Sequence, residues 1–170
     1  MSFLLHIEPA LFDNLMAHLL PPDSEQEQAA FLFVHRTDMP DATSFDVVET
    51  AMLDRRHFAW QEGYYLELDD GARAGLIKRA HDLEASLVEI HSHLGEHPAA
   101  FSLSDRSGLK DTVPHMWWRL KGRPYIAIVV AASGFDAVVW LENPTIPRAL
   151  DGIRVSNRIL KPTNLSLKGW

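Results

Sequence analysis

The chain has 170 residues, of which 46% are hydrophobic and 23% charged, with a formal net charge of −7 and no cysteine. This composition predicts a single domain spanning residues 1–170 with a substantial core, and it argues against a disordered chain. The negative charge argues against nucleic acid as the main partner. The absence of cysteine excludes disulfides, cysteine-ligated zinc and cysteine nucleophiles, and it fits a reducing compartment. Residues 1–20 lack a basic leader and a long uncharged span, so we expect a cytoplasmic protein without a membrane partner.

Apolar periodicity and turn residues predict strands that alternate with helices. In the first half of the chain we expect a strand at residues 3–7, a helix from Pro9 to about residue 20, strands at 29–35 and 44–53, and a helix after Asp69-Asp70. In the second half we expect a strand at 86–93, then a helix that begins near Ser104 and is limited by Pro114. Strands at 125–132 and 135–141, joined at Ser133-Gly134, and a further strand at 152–155 complete the order. Residues 55–67, with Trp60, Tyr64 and Tyr65, are compatible with a strand or a surface loop. This order predicts a mixed sheet covered by helices.

The most informative stretch is His91-Ser92-His93, which ends the apolar run 86–90. On a strand, residues two apart face the same side and lie roughly 6.5–7 Å apart along the backbone. Both imidazoles can therefore converge on one metal ion, while Val88 and Ile90 point to the opposite face. Asp105 can supply an oxygen as a third ligand. Three protein ligands leave a fourth position for water, which is typical of a catalytic zinc site rather than a structural one.

Each of these candidates also has a structural interpretation. A single histidine near a core is usually only hydrogen-bonded, and Ser102-x-x-Asp105 has the pattern of a capping box at a helix start. The two interpretations of Asp105 are compatible, because an acid in the first turn of a helix can also face a metal. Glu89 shares the face of the paired histidines and either contacts them or lies deeper in the sheet. We expect three further histidines to be surface or packing residues: His81, His97 and His115.

Together these residues resemble the motif of the JAMM metallopeptidases, also called MPN-plus or JAB-domain zinc peptidases, and the small size resembles a prokaryotic member. That motif is an upstream glutamate, then His-x-His, seven residues and Ser-x-x-Asp. Here His91-Ser92-His93 precedes Ser102-Leu103-Ser104-Asp105, and residues 21–33, PPDSEQEQAAFLF, resemble the family's Pro-x-Glu-x-x-Gly-Leu-Leu segment. The sequence departs from the pattern at three points: eight residues separate His93 from Ser102, Leu94 replaces a proline, and Ala30 replaces a glycine.

The resemblance covers residues 3–141 and implies a cytidine-deaminase-like α/β/α sandwich with a mixed sheet. It also implies the roles of the site residues: Zn²⁺ bound by His91, His93 and Asp105, Glu27 as the catalytic acid–base, and Ser102 as a hydrogen-bond donor to the oxyanion. Aligning Ala30 with the family's glycine puts Glu27 at the catalytic position. Glu25, two residues earlier, is the alternative.

For function, the resemblance implies a zinc-dependent peptidase or isopeptidase that cleaves after the C-terminus of ubiquitin or a ubiquitin-like protein. The expected partners are a ubiquitin-like protein or its conjugates, together with E1-like and E2-like proteins of the same system. Three roles remain open: conjugate removal, precursor processing and release of a sulfur-carrier tail. A bacterial ubiquitin-like conjugation or defence system is one setting for such a role. The alternatives are a non-catalytic MPN-type scaffold, which usually loses motif residues, and a small-molecule deaminase, which would use cysteine ligands that this chain lacks.

Overall fold

Every predicted strand and helix is present, and the computed structural model describes residues 1–170. The strands are β1 (Ser2–His6), β2 (Ala29–Asp38), β3 (Ala42–Met52), β4 (Phe58–Gln61), β5 (Leu66–Leu68), β6 (Ser86–Ser92), β7 (Tyr125–Ala131), β8 (Gly134–Trp140), β9 (Arg148–Ala149), β10 (Gly152–Val155) and β11 (Arg158–Leu160). The helices are α1 (Pro9–Leu19), α2 (Asp70–Asp82) and α3 (Leu103–Arg119). None of these helices is both long enough and apolar enough to cross a membrane.

Nine strands form one mixed sheet in the order β11-β10-β1-β3-β2-β6-β7-β8-β9. β1 runs parallel to β3 and β10, β6 runs parallel to β7, and the other neighbours are antiparallel. The strand β6, which ends in the paired histidines, therefore lies inside the sheet between β2 and β7. A central position of this kind fixes the backbone on both sides of the strand.

Helices cover both faces of the sheet, which confirms the predicted α/β/α sandwich. On one face α1 packs Leu15 and Leu19 into an apolar cluster that includes Val88 and Ile90 of β6. On the other face α2 and α3 pack against a second cluster that includes Leu87. Because side chains alternate along a strand, the odd-numbered residues of β6, including His91, face the α2/α3 layer.

Two predictions of local structure need correction. Helix α3 does not stop at Pro114 but continues to Arg119. A proline inside a helix removes one backbone hydrogen bond, and here the burial of Val113 and Met116 on either side of it keeps the helix packed on the sheet. The β7–β8 turn also lies one residue earlier than predicted, because Ala131 pairs with Gly134 and the turn consists of residues 132 and 133.

Residues 55–67, left open by the sequence, contain a short 3-10 helix (Arg55–His57), the strand β4 and the start of β5. β4 and β5 pair with each other to form a small second sheet. Three aromatic side chains of this hairpin are exposed rather than packed in the core, by 52% at Trp60, 81% at Tyr64 and 40% at Tyr65. The core contacts of this hairpin come instead from Phe58 and the two leucines of β5.

Candidate metal centre and adjoining groove

His91 and His93 lie at the carboxyl end of β6 and turn to the same side of the sheet. Their Nε2 atoms are 3.2 Å apart. Neighbouring strands hold this end of β6 in register, since His91 pairs with Ala29 of β2 and with Val129 of β7. The backbone N–H of His93 also donates to the carbonyl of Val130. The convergence predicted from the i, i+2 spacing is therefore present.

Asp105 reaches the two histidines from the first turn of α3. One carboxylate oxygen, Oδ1, lies 3.5 Å from His91 Nε2, and the other, Oδ2, lies 3.0 Å from His93 Nε2. Oδ2 also accepts a hydrogen bond from the backbone N–H of Ser102 at 2.7 Å, and Ser102 Oγ accepts one from the N–H of Asp105 at 3.0 Å. This capping box orients the carboxylate, so Asp105 both caps the helix and faces the histidines.

The separations among these three side chains fit a single metal ion. Two ligand atoms that each lie about 2.0–2.1 Å from an ion, at tetrahedral angles, are ~3.3–3.4 Å apart. The observed distances of 3.2, 3.5 and 3.0 Å bracket that value. His91, His93 and Asp105 are also the one group of His, Cys, Asp or Glu residues whose ligand atoms approach closely enough to hold a metal. Two imidazole nitrogens and one carboxylate oxygen can thus bind a metal ion and leave a further coordination position free.

Glu27 lies beside this cluster, just before β2. Its side chain is only 6% exposed, and Oε1 is 3.9 Å from His93 Nε2. Two hydrogen bonds to the β4–β5 hairpin hold the backbone of Glu27. The Glu27 N–H donates to the carbonyl of Glu62, and the Glu27 carbonyl accepts from the Gln61 side-chain amide at 2.9 Å. Glu25, the alternative, is exposed and forms no ion pair with either histidine. The structure thus brings Glu27 to the cluster.

The electrostatics of the cluster follow from burial and from the carboxylates gathered around the imidazoles. Burial raises the pKa of Glu27, and the nearby imidazoles offset that effect only in part. Burial lowers the pKa of His91, but the hydrogen bond and charge of Asp105 outweigh it, so the net pKa is raised. Burial also raises the pKa of Asp105, but bonds from both imidazoles outweigh it and hold that pKa well below its usual range. The negative charge of the carboxylates around the imidazoles favours the binding of a cation. A buried glutamate with a raised pKa suits proton transfer.

Ser92, between the two histidines, has a positioning role that the sequence did not reveal. Its side chain is fully buried, and Oγ accepts a hydrogen bond from the backbone N–H of Gln28 at 2.8 Å. The N–H of Ser92 in turn donates to the carbonyl of Gln28. These bonds tie the segment that carries Glu27 to the strand that carries the histidines. The only signal in the sequence was a small polar residue at a position that faces away from the side to which the two histidines turn.

We expect Ser92→Ala to lower the free energy of unfolding by about 1–3 kcal/mol, because it leaves the N–H of Gln28 without its acceptor. Urea denaturation of the variant and of wild type measures this difference. Ser24→Ala is the matched control, since Ser24 Oγ makes only exposed local bonds, to the carbonyl and the N–H of Gln26. It should change stability by no more than about 0.5 kcal/mol. Equal stability of Ser92→Ala and wild type would show that this tie contributes nothing.

A groove of about 540 Å³ adjoins the cluster and lies between β5 and α3. Glu27, His91 and Asp105 contribute to its lining. β5 forms one wall, and the first half of α3 forms the other with small residues that include Ser107 and Gly108. A side chain added at Gly108 would meet nothing within 4 Å. The absence of a side chain there therefore keeps the groove wide and does not relieve a clash.

Glu89 also lines the groove, two residues before His91 on the same face of β6. Its Oε2 accepts a hydrogen bond from the Tyr125 hydroxyl at 2.5 Å, and burial raises the pKa of Glu89. Glu89 is therefore bonded within the sheet layer and does not join the ligand group. His97 and His115 are exposed and His81 is half-buried, so none of the three joins that group either.

Among solved structures, one that resembles this chain is the N-terminal domain of STIL from Trichoplax adhaerens. It covers 76% of this chain at 11% sequence identity and a TM-score of 0.34. The chain spans only 37% of the length of that structure. The comparison with curated proteins gives no match.

The family comparison agrees with the geometry of the site. The family model described as prokaryotic homologs of the JAB domain matches residues 8–140. This range holds most of the sheet, all three helices and every residue of the candidate metal centre. The chain therefore belongs to the family of prokaryotic JAB-domain homologues.

Proposed function

We propose that this chain is a zinc-dependent peptidase or isopeptidase that cleaves after the C-terminus of a ubiquitin-like protein, in a precursor or a conjugate. The observation that supports this most is the convergence of His91, His93 and Asp105, with the buried Glu27 beside them, next to a groove. A metal site alone fits many proteins. A metal site that adjoins a buried acid–base group and a substrate-sized groove fits a hydrolase.

Zinc is the proposed metal because the donor set combines two imidazole nitrogens with a carboxylate oxygen, as in catalytic zinc sites. When bound, zinc polarises the scissile carbonyl and lowers the pKa of water toward neutrality. Glu27 then accepts the proton of the attacking water and passes it to the leaving amine as the C–N bond breaks. The Ser102 hydroxyl still has its own hydrogen to donate, since its oxygen acts as the acceptor in the capping box. We assign that hydrogen to the developing oxyanion.

The groove supports an extended peptide as the substrate. β5 pairs with β4 on one side only, so its other edge is free to bind a strand along the groove. The opposite wall, formed by α3, has only small residues at Ser107 and Gly108. A C-terminal tail with small residues next to the scissile bond would pass between these walls and reach Glu27. We further propose that the exposed aromatics of the β4–β5 hairpin contact the globular part of the partner.

Fusions that carry a ubiquitin-like domain with a Gly-Gly end should be cut directly after that end. A free peptide of the same tail should be cut far more slowly, because it lacks the contacts of the folded partner. Intact-mass analysis of the products locates the cut, and initial rates on the two substrates give the ratio. Equal rates would show that the folded partner is not recognised. The absence of any cut would favour the scaffold alternative.

We expect Tyr64→Ala to raise KM for the folded fusion by about fivefold or more, as for an aromatic that contributes about 1 kcal/mol or more to an interface. Its KM for the free peptide should not change. Trp118→Ala is the matched control, because Trp118 is 73% exposed, like the hairpin aromatics, but lies at the far end of α3. If both variants behave like wild type on the fusion, the hairpin is not part of the partner interface.

A further inference from the structure

Residues 161–170, which we call the strap, lie outside the range of the family match and cross the loop that leads into α3. Two side-chain hydrogen bonds join the strap to that loop. Thr163 Oγ1 donates to the carbonyl of Ala99 at 2.6 Å, and Ser166 Oγ accepts from the backbone N–H of Phe101 at 2.7 Å. Ser166 is 3% exposed, so its bond to Phe101 is sheltered from water. The strap therefore holds both ends of residues 99–101.

The strap is itself anchored to the sheet by Asp136 on β8. This side chain is 1% exposed. Its Oδ1 accepts from the N–H of Asn164 at 3.0 Å and from that of Ala137 at 2.9 Å, and its Oδ2 accepts from the N–H of Ser166 at 2.9 Å. A buried carboxylate needs such donors, because its desolvation is otherwise costly. Asp136 also lies in one row of the sheet with the metal ligand His91, since both pair with Val129 on the intervening strand.

The loop held by the strap leads directly into the first turn of α3, which carries Asp105. The N–H groups of Phe101 and Ser102 are adjacent along the backbone; the first donates to Ser166 Oγ and the second to Asp105 Oδ2. The hydrogen bonds thus run from Asp136 through the strap and the loop to the carboxylate that faces both histidines. The Phe101 ring is a second connection between the strap and the histidines. Its centroid lies 6.0 Å from that of the His91 ring and 6.3 Å from that of the Trp170 ring in the strap.

We propose that Asp136 and Ser166 are positioning residues of the metal centre: through the strap they hold residues 99–102, and with them Asp105, in the geometry that binds the ion. The proposal rests on the metal site of the proposed function and adds to it a segment beyond the family match. It assigns no contact with substrate to either residue. Its consequence is that loosening the strap weakens metal binding even though every ligand is still present.

The test measures the zinc dissociation constant of the full chain by competition with a chelator of known affinity. Ser166→Ala removes the acceptor of the Phe101 N–H, and Asp136→Asn replaces one acceptor oxygen with an amide donor. Each should raise the zinc dissociation constant about tenfold or more, as for other groups that orient metal ligands. Thr163→Val is a milder variant, because Thr163 is exposed and the remaining ties persist. It should give a smaller rise in the same direction, and it covers the case in which the other two variants fail to fold.

Asp151→Asn is the matched control, since its carboxylate also accepts a backbone N–H, that of Phe3 at 2.7 Å, but makes no contact with the loop. It should leave zinc affinity unchanged. Hydrogen–deuterium exchange of amides 101–105 in zinc-stripped protein gives a second readout, with faster exchange in Ser166→Ala and no change in Asp151→Asn. Unchanged zinc affinity in Ser166→Ala, or in Thr163→Val if Ser166→Ala does not fold, would overturn the proposal while the proposed function stands. Unchanged exchange of amides 101–105 in Ser166→Ala would overturn it as well. Wild-type protein that binds no zinc would overturn the proposed function and this inference together.

Discussion

Glu27→Gln should reduce turnover by ~10²–10⁴-fold, the usual contribution of a general acid–base group, while zinc content stays at the wild-type level. The amide keeps the shape of the side chain but cannot accept and return a proton. Glu27 is not among the three ligand residues, and its backbone bonds to Glu62 and Gln61 do not involve the carboxylate. The zinc content and the fold should therefore be unchanged. Single-turnover cleavage of a ubiquitin-like fusion, together with elemental analysis, measures both quantities.

Glu25→Gln is the matched control for this substitution. Glu25 is an acid two residues away in the same segment, and its side chain is exposed. The control should cleave at the wild-type rate. A large loss in Glu25→Gln, with Glu27→Gln still active, would show that the catalytic glutamate has been assigned two residues too late.

His93→Ala should abolish stoichiometric zinc binding and, with it, cleavage. Of the two imidazole nitrogens, His93 Nε2 lies closer to the Asp105 carboxylate, at 3.0 Å against 3.5 Å for His91. Its removal takes away one of three protein ligands and exposes the other two to water. The backbone N–H of residue 93 still donates to Val130, so the sheet should persist. Elemental analysis of protein purified without added metal should give near-stoichiometric zinc for wild type and little for the variant. Thermal unfolding checks that the variant is folded.

His97→Ala is the control for this second result, because His97 lies four residues further along the same loop and is exposed. It should keep its zinc. If His93→Ala and His91→Ala both retain as much zinc as wild type, the ligand assignment is wrong.

Much of the candidate metal centre could be predicted because its geometry is encoded locally. The i, i+2 spacing on a strand places His91 and His93 on one face, and the capping box places Asp105 in the first turn of a helix. The extra residue between His93 and Ser102 does not disturb the site. It is accommodated in a loop where Gly95 adopts a φ of +95°, a value that glycine tolerates without strain.

The parts that could not be predicted depend on contacts between distant segments. The β4–β5 hairpin has no strict alternation, because Phe58 is buried while Trp60 on the same strand is exposed. Helix α3 continues past Pro114 because of tertiary packing, which a local rule does not include. Asp136 and Ser166 lie 30 residues apart and meet only through the fold. An isolated aspartate or serine carries no signal of such a role in its own neighbourhood.

The most direct test of a zinc hydrolase built on His91, His93 and Asp105 is the cleavage rate of a ubiquitin-like fusion as zinc is returned to chelator-stripped protein. We predict almost no cleavage without metal and a rate that rises linearly and levels off at one zinc per chain. A stripped chain that cleaves at the full rate, or a rate that stays at zero at every zinc concentration, would contradict the account.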